Sequence, residues 1–420
     1  MADVTMEKLV QLCKARGFVF PGSEIYGGMA NSWDYGPLGV ELKNNIKAAW
    51  WKKFVTSRLD MVGIDAALIM NPKVWEASGH VATFSDPLVE CKSCHERYRA
   101  DQIDLTAACA KCGNKGTFTE PAAFNMMMKT FIGPKDDGTN VAYFRPETAQ
   151  AMFVDFPLVL NASRKRVPFG IAQCGKAFRN EITPGNFIFR QREFDLMEFE
   201  YFVHPSEWEK HFDYWLAQMH EWIAECGVDA SRVHELEVPE DERAHYSKRT
   251  VDLEFDYPFG RKELYGLAYR TDYDLKMHAD ASGKDLLYTD PATNEKFIVL
   301  LSAYHEEEVE GETRVVLKFP KHLAPVKIAV LPLSKKDELS DVARPLAETL
   351  ATHWRVDYDE TQSIGKRYRR QDEIGTPYCV TVDFDSLEDK AVTVRDRDTM
   401  AQERVPVAEL VEYFKKKLDV

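Results

Sequence analysis

Between residues 178 and 198 the chain sets three arginines and four acids in a fixed order around a turn. Phe178-Arg179-Asn180-Glu181 comes first, and Thr183-Pro184-Gly185-Asn186 forms the turn. Phe189-Arg190-Gln191-Arg192-Glu193-Phe194-Asp195-Leu196-Met197-Glu198 follows. Proline and glycine set the turn geometry. The flanking runs Phe187-Ile188-Phe189 and Met197–Phe202 read as strands. The expectation is an antiparallel hairpin within Phe169–Val203. Surface ion pairs on an ordinary hairpin would explain any one of these charges, but not the whole run.

A second constraint lies upstream. Cys91-Lys92-Ser93-Cys94 and Cys109-Ala110-Lys111-Cys112 are two C-x-x-C pairs. The start of the chain carries no apolar signal-peptide core, so paired thiols read as metal ligands rather than disulfides. Four thiolates close a tetrahedral structural Zn²⁺ site and leave no open position for catalysis. His95 is an alternative ligand; an exposed loop histidine is the plainer reading. The module spans about residues 86–121.

The rest of the 420 residues reads as a globular protein of two or three domains. A net charge of −14 argues against indiscriminate binding to DNA or membranes, yet leaves room for a local basic surface. No apolar run is long enough to cross a bilayer, and the reading is an intracellular, cytoplasmic protein. Helices are expected near Thr5–Arg16, Leu38–Phe54 and Ser206–Cys226. In the last, Ser206 and Glu209 suggest a capping box, and the Trp208, Phe212, Trp215, Met219 and Trp222 stripe is core. Ala66–Met70 reads as a strand closed at Pro72. Beyond about Pro325 the pattern alternates: strand Val326–Leu331, helix Asp337–His353, strands Arg355–Asp357 and Tyr378–Phe384, helix Val407–Leu418. Alternation of this kind predicts a small α/β domain.

The run from Phe178 to Glu198 resembles motif 2 of class II aminoacyl-tRNA synthetases. Trp75–His80, Tyr98-Arg99-Ala100-Asp101, Arg145–Gln150, Arg192–Phe202 and Thr271–Leu275 resemble segments of the bacterial, homodimeric glycyl-tRNA synthetases. Met61–Pro72 is similar to motif 1, whose proline helps form the dimer interface. The resemblance covers nearly the whole chain. It implies an α+β fold: a class II catalytic domain over residues 1–322, built on an antiparallel sheet with flanking helices. The zinc ribbon is an insertion in it, and a helical insertion occupies about 205–250. An anticodon-binding α/β domain takes residues 323–420. The implied activity is ATP-dependent activation of glycine and its transfer to the 3′ end of glycine tRNA.

The resemblance also implies roles. Arg179 and Glu181 are the catalytic pair, because a rigid guanidinium fork suits charge building at the attacked phosphorus. ATP contacts are Arg179, Asn180, Glu181, Phe189, Arg190, Gln191, Arg192, Glu193, Phe194, Glu263 and Leu264. Phe194 offers a ring face to adenine, and Glu263 a carboxylate to Mg²⁺. Glycine contacts are Arg99, Glu147, Phe194, Asp195, Leu196, Met197, Glu198 and Arg270. A small acidic pocket binds the ammonium and rejects larger side chains sterically. Cys91, Cys94, Cys109 and Cys112 hold zinc.

The family's third motif, a strand and a helix whose arginine grips ATP, is not found after Lys296-Phe297-Ile298. Val299–His305 resembles the tail of that helix. Gly311-Glu312-Thr313-Arg314 has the letters of the motif, but reads as a hairpin turn before a strand at Val315–Phe319. The family's acidic and serine glycine contacts lie in the missing stretch, and the spacer between the cysteine pairs is short for the family. Two alternatives therefore stand beside the ligase: a synthetase-like accessory protein that binds nucleic acid without aminoacylating, and a zinc-ribbon nucleic-acid binder. In the C-terminal part, Lys366-Arg367-Tyr368-Arg369-Arg370 could meet RNA or be a solvated charge run.

Overall fold

The computed structural model describes residues 5–134, 140–244, 246–291, 293, 296–297, 300–305 and 316–418. Helix α1 (Met6–Arg16) starts where the Thr5 side chain accepts from Lys8 N and stops at Gly17, whose φ of 72° suits the left-handed turn. Helix α2 (Pro37–Trp51) begins on a proline at its first turn and buries Leu42, Ile46 and Trp50.

The catalytic part is built on one sheet. Among the described residues its strands are β1 (Met61–Gly63), β2 (Phe169–Phe178), β3 (Glu193–Phe202), β4 (Val233–Glu237), β5 (Arg249–Tyr257), β6 (Gly260–Thr271) and β7 (Leu300–His305), in the order β4-β5-β6-β7-β3-β2-β1. Every pair is antiparallel except β1 with β2. Side chains alternate across a strand, and the two faces of β3 are covered differently. Met197, Phe199 and Tyr201 enter a core shared with α2 and with α3 (Trp208–Glu225), where Phe212, Trp215, Met219 and Trp222 are buried as the stripe predicts. Phe202 packs the other way, with Phe169, Ile171, the helix Ala149–Val154 and Leu275 of α4 (Tyr273–Ser282).

The C-terminal sheet comprises, among the described residues, β8 (Ile328–Pro332), β9 (Val356–Tyr358), β10 (Tyr378–Val382), β11 (Ala391–Asp396) and β12 (Gln402–Pro406), ordered β9-β8-β10-β11-β12. The β8 pairings are parallel and the last two antiparallel. Helices α5 (Asp337–Ala351) and α7 (Leu410–Leu418) cover one face, and Ile364 and Tyr368 of α6 (Ile364–Glu373) cover the other. Between the two sheets, Leu317, Phe319, Leu323 and Ala324 pack into the catalytic core. Arg397, itself buried, donates to the carbonyls of Leu317, Phe319 and Gly375.

Several expectations are corrected. Leu300–His305 is a strand, not a helix tail: Tyr304 faces Glu198 on one side and Gly266 on the other, so two ladders claim its backbone. A short apolar run fits either state by periodicity, and pairing decides. The insertion at 205–250 is helical only over α3; Val233–Glu237 and the start of β5 join the sheet. The capping box does not form, because the Ser206 hydroxyl engages His204 Nδ1 at 2.7 Å and α3 starts at Trp208. Phe187–Phe189 is not a strand; Asn186 and Phe187 take φ of 54° and 61°, which breaks extended geometry. Pro72 opens a short helix, Pro72–Ala77, after a strand of Ile69–Met70. Residues 316–319 form no strand, and the Leu317 and Phe319 carbonyls accept from Arg397. Gly311–Arg314 lie outside the described residues.

Candidate nucleotide and amino-acid site

Strands β3 and β6 and the segment 179–191 that follows β2 wall a cavity of about 300 Å³. Arg179, Glu181, Phe189, Arg190, Gln191, Phe194, Glu263 and Leu264 line it, with Arg99 from the cysteine module and also Met126 and Lys262. Most of the residues expected to touch ATP thus converge, although Glu263 is far from Arg179 in sequence. The Arg179 guanidinium sits over the Phe194 ring at 5.2 Å and the Phe84 ring at 5.8 Å, and its Nε donates to the Pro146 carbonyl at 3.1 Å. These contacts fix a fork that a flexible lysine could not reproduce. Arg190 Nη1 lies 3.5 Å from Glu181 Oε2. Burial pushes the Glu181 carboxyl up, against the pull of Arg190 and Arg179.

Behind this cavity the structure closes a buried polar cluster. Arg270, on β6, donates to Asp274 of α4 through Nε at 2.8 Å and Nη2 at 3.0 Å, and its guanidinium lies 3.8 Å from the Tyr246 ring. Gln150 Nε2 bridges Glu147 Oε1 at 2.8 Å and Asp274 Oδ1 at 3.0 Å, while its Oε1 meets His278 Nε2 at 2.8 Å. Glu147 also faces His80 Nε2 at 3.3 Å, and His80 Nδ1 is 2.8 Å from Ser78 Oγ. Glu198 Oε2 accepts from Thr148 N at 3.2 Å and from the Thr148 hydroxyl. Burial and then the neighbouring Glu147 raise the Glu198 carboxyl to about 7. Burial also opposes ionisation of Glu147, but His80 and Arg270 outweigh it and hold that carboxyl below the usual range. One carboxylate and one carboxyl poised near neutrality face a fixed guanidinium. That arrangement can take an ammonium at one end and a carboxylate at the other.

Not every expected residue joins these groups. On β3, Phe194, Leu196 and Glu198 share the site face, with Leu196 fully buried. Asp195 turns to the opposite face, where Lys43 and Lys47 of α2 hold it. Met197 enters the core on that same face, and Glu193 pairs with Lys176 at 2.8 Å. The alternation of a strand excludes all three from the site. Asn180 is held by its backbone to Met126 O, and Arg192 donates to the carbonyls of Ala30 and Glu181. Arg99 lines the nucleotide cavity, paired with Asp86 at 2.6 Å and Asp101 at 2.8 Å, rather than the Glu147 cluster. His80, Thr148, Gln150 and Asp274 received no role from the sequence. They lie inside the segments that carry the family resemblance, which is the signal that could have found them.

The four cysteines come together. Their Sγ atoms lie within 4.8 Å of one another, with Cys91–Cys112 at 3.7 Å and Cys94–Cys109 at 3.8 Å. Zn–S bonds of about 2.3 Å at tetrahedral angles put sulfur atoms ~3.8 Å apart. The donor set and the spacing therefore fit zinc. Thr117 Oγ1 at 3.1 Å from Cys91 Sγ and Tyr98 OH at 3.4 Å from Cys109 Sγ supply outer hydrogen bonds. His95 points away, 2.9 Å from Glu90. In the C-terminal sheet the basic run is largely structural. Arg367 is buried and donates to backbone carbonyls at Thr361 and Gln362, Arg370 pairs with Asp359, and Tyr368 packs under the sheet; Arg369 remains exposed.

Comparison with known proteins accords with this geometry. Residues 133–318 match the model of the tRNA synthetase class II core domain (G, H, P, S and T), and residues 327–417 match the anticodon binding domain. The chain is 51% identical to a glycine–tRNA ligase of Alkaliphilus oremlandii over 460 aligned positions, covering 99% of each chain. It is 51% identical to that of Geobacillus thermodenitrificans over 458 positions, covering 99% of this chain and 98% of the relative. With that of Lysinibacillus sphaericus it is 52% identical over 462 positions, covering all of both. Each alignment is longer than the 420 residues of this chain, so the relatives carry internal residues with no counterpart here. The chain belongs to the glycine–tRNA ligase family of class II aminoacyl-tRNA synthetases.

Proposed function

We propose that this chain activates glycine with ATP and transfers it to the 3′ end of glycine tRNA. The observation that carries the reading is the adjacency of two sites: a cavity bearing Arg179, Phe194 and Glu263, and the closed cluster of Glu147, Glu198 and Arg270 reached from the same strands. Arg179 meets the charge that develops on the attacked phosphate, Phe194 takes the adenine face, and Arg190 the outer phosphates. Glu147 and Glu198 receive the glycine ammonium, and Arg270 its carboxylate. Mg²⁺, which Glu263 would hold, neutralises phosphate charge when bound. A site walled by buried side chains excludes larger amino acids sterically, which would favour glycine.

The cysteine cluster would hold Zn²⁺ as a staple of the ribbon. The chain would pair with a second copy as a homodimer through the segment ending at Pro72, where Leu68 and Ile69 are exposed. Among the described residues no helix is long and apolar enough to cross a membrane. We place the reaction in the cytoplasm, where tRNA is charged.

Glycine-dependent ATP–pyrophosphate exchange tests the reading. Exchange that requires glycine supports the ligase; tRNA binding with no exchange overturns it.

A further inference from the structure

Residues 22–32 form a closed loop at the end of a short ribbon, Val19–Pro21 paired with Trp33–Tyr35. Gly22 N donates to Ser32 O at 2.8 Å, and Ser32 N to Met29 O at 3.0 Å. A Cβ on Gly22 would stand 2.7 Å from Ser32 Oγ and 3.2 Å from the Ser32 carbonyl oxygen, so the two ends of the loop are pressed together. Loops with joined ends are compact surface elements that often carry function. Residues 23–30 are all exposed. At the tip, Ile25 is 88% exposed, Tyr26 87% and Met29 60%. Folding gains nothing from displaying three large apolar side chains side by side on a pinned loop.

The loop is fastened to the turn that carries the phosphate-binding arginines. Asn31 Nδ2 donates to the Arg190 carbonyl, Arg192 Nη1 donates to the Ala30 carbonyl at 3.2 Å, and the Trp33 ring meets Phe187 edge-on at 4.9 Å. The base of the loop is thus fastened to the turn that rims the cavity, with the Arg192 guanidinium against Ala30 and the exposed tip extending from there. We infer that the loop is the landing surface for the unpaired 3′ end of tRNA, with Tyr26 and Ile25 receiving base faces while the Arg192 guanidinium at the loop's base meets a phosphate. The inference rests on the proposed function, because only an acyl acceptor must enter that cavity. Unpaired nucleotides present the matching chemistry: flat apolar faces and a charged backbone within one short segment.

The test places the photoreactive residue p-benzoylphenylalanine at position 26 of the full chain and irradiates it with glycine tRNA. A crosslink to the terminal unpaired nucleotides is the expected result. A crosslink to the duplex stem or the anticodon arm, to a second copy of the chain, or to nothing overturns the inference. In parallel, a Tyr26→Ala, Ile25→Ser variant is assayed in a single turnover. Transfer to tRNA falls by about tenfold or more, as loss of base–aromatic stacking predicts, while glycine-dependent exchange persists. Unchanged transfer overturns the inference. If the unaltered chain shows no exchange, the ligase reading fails by itself, and the crosslink still decides the loop.

Discussion

Arg270 and Asp274 form a two-pronged ion pair across the junction of β6 and α4, with Nε–Oδ2 at 2.8 Å and Nη2–Oδ1 at 3.0 Å, and both side chains are almost fully buried. The pair fixes the guanidinium expected to meet the glycine carboxylate. Removing one member leaves a buried charge without its partner, which costs on the order of 3–5 kcal/mol. Asp274→Ala should lower the urea unfolding free energy by roughly that amount. Asp274→Asn, which keeps the shape, should mainly raise the KM for glycine and leave that for ATP unchanged. Equal change in both constants would place Arg270 outside the glycine site.

Glu198 gives a pH signature of defined sign. Its folded pKa, about 7, lies above the ordinary value for glutamate, ~4.3. The neutral carboxyl therefore stabilises the fold fully below pH ~4.3, and that contribution is lost as pH climbs to about 7. Glu198→Gln stays neutral throughout. The stability difference between variant and parent should shift in favour of the variant by about 1 kcal/mol per pH unit between pH ~5 and 7, and stay constant above. Denaturant titrations at pH 5, 6, 7 and 8 measure it; parallel curves would show that Glu198 titrates normally.

Arg179 is held over Phe194 and tied to Pro146 O. Arg179→Ala should depress glycine-dependent pyrophosphate exchange by on the order of a hundredfold or more. Arg179→Lys should restore little, because a point charge lacks the fork. A lysine variant with near-parent kcat would show that only net charge matters there.

The cysteine cluster predicts one tightly held metal per chain. Elemental analysis of the purified protein should find zinc near unit stoichiometry, and Cys109→Ser should release it. Chelation should expose residues 86–121 to protease, since the ribbon has little other core. A metal-free protein with an equally resistant ribbon would refute the staple.

The basic helix α6 shows how a legible pattern can mislead. Lys366–Arg370 looks like an RNA-binding run, but Arg367 and Arg370 are occupied by Asp359 and by carbonyls of the preceding loop. Lys366 and Arg369 are left exposed, Arg369 against Glu373. Arg369→Ala alone should change tRNA affinity by less than about threefold, the scale of one exposed charge; a filter-binding titration checks it.

The sequence by itself determined the grouping of side chains proposed to meet ATP and the cluster of four cysteines. Arg179, Glu181, Arg190 and Phe194 sit close together in the chain, and a hairpin returns them to one place whatever surrounds it. The same holds for the cysteines, whose spacing around two turns suffices to gather four thiols. Only the tertiary structure decided the buried cluster proposed to meet glycine. Which of Phe194 to Glu198 face the site depends on which side of β3 is covered by α2, and pairing register, not composition, turns Asp195 and Met197 away. The partners of Glu147 come from His80, Gln150 and Asp274, scattered along the chain. Long-range pairing of buried charges is set by packing, and no local spacing rule encodes it. The fate of Leu300–His305 has the same cause: an apolar run of that length takes the state its neighbours offer, and here two strands with open edges offered a place between them.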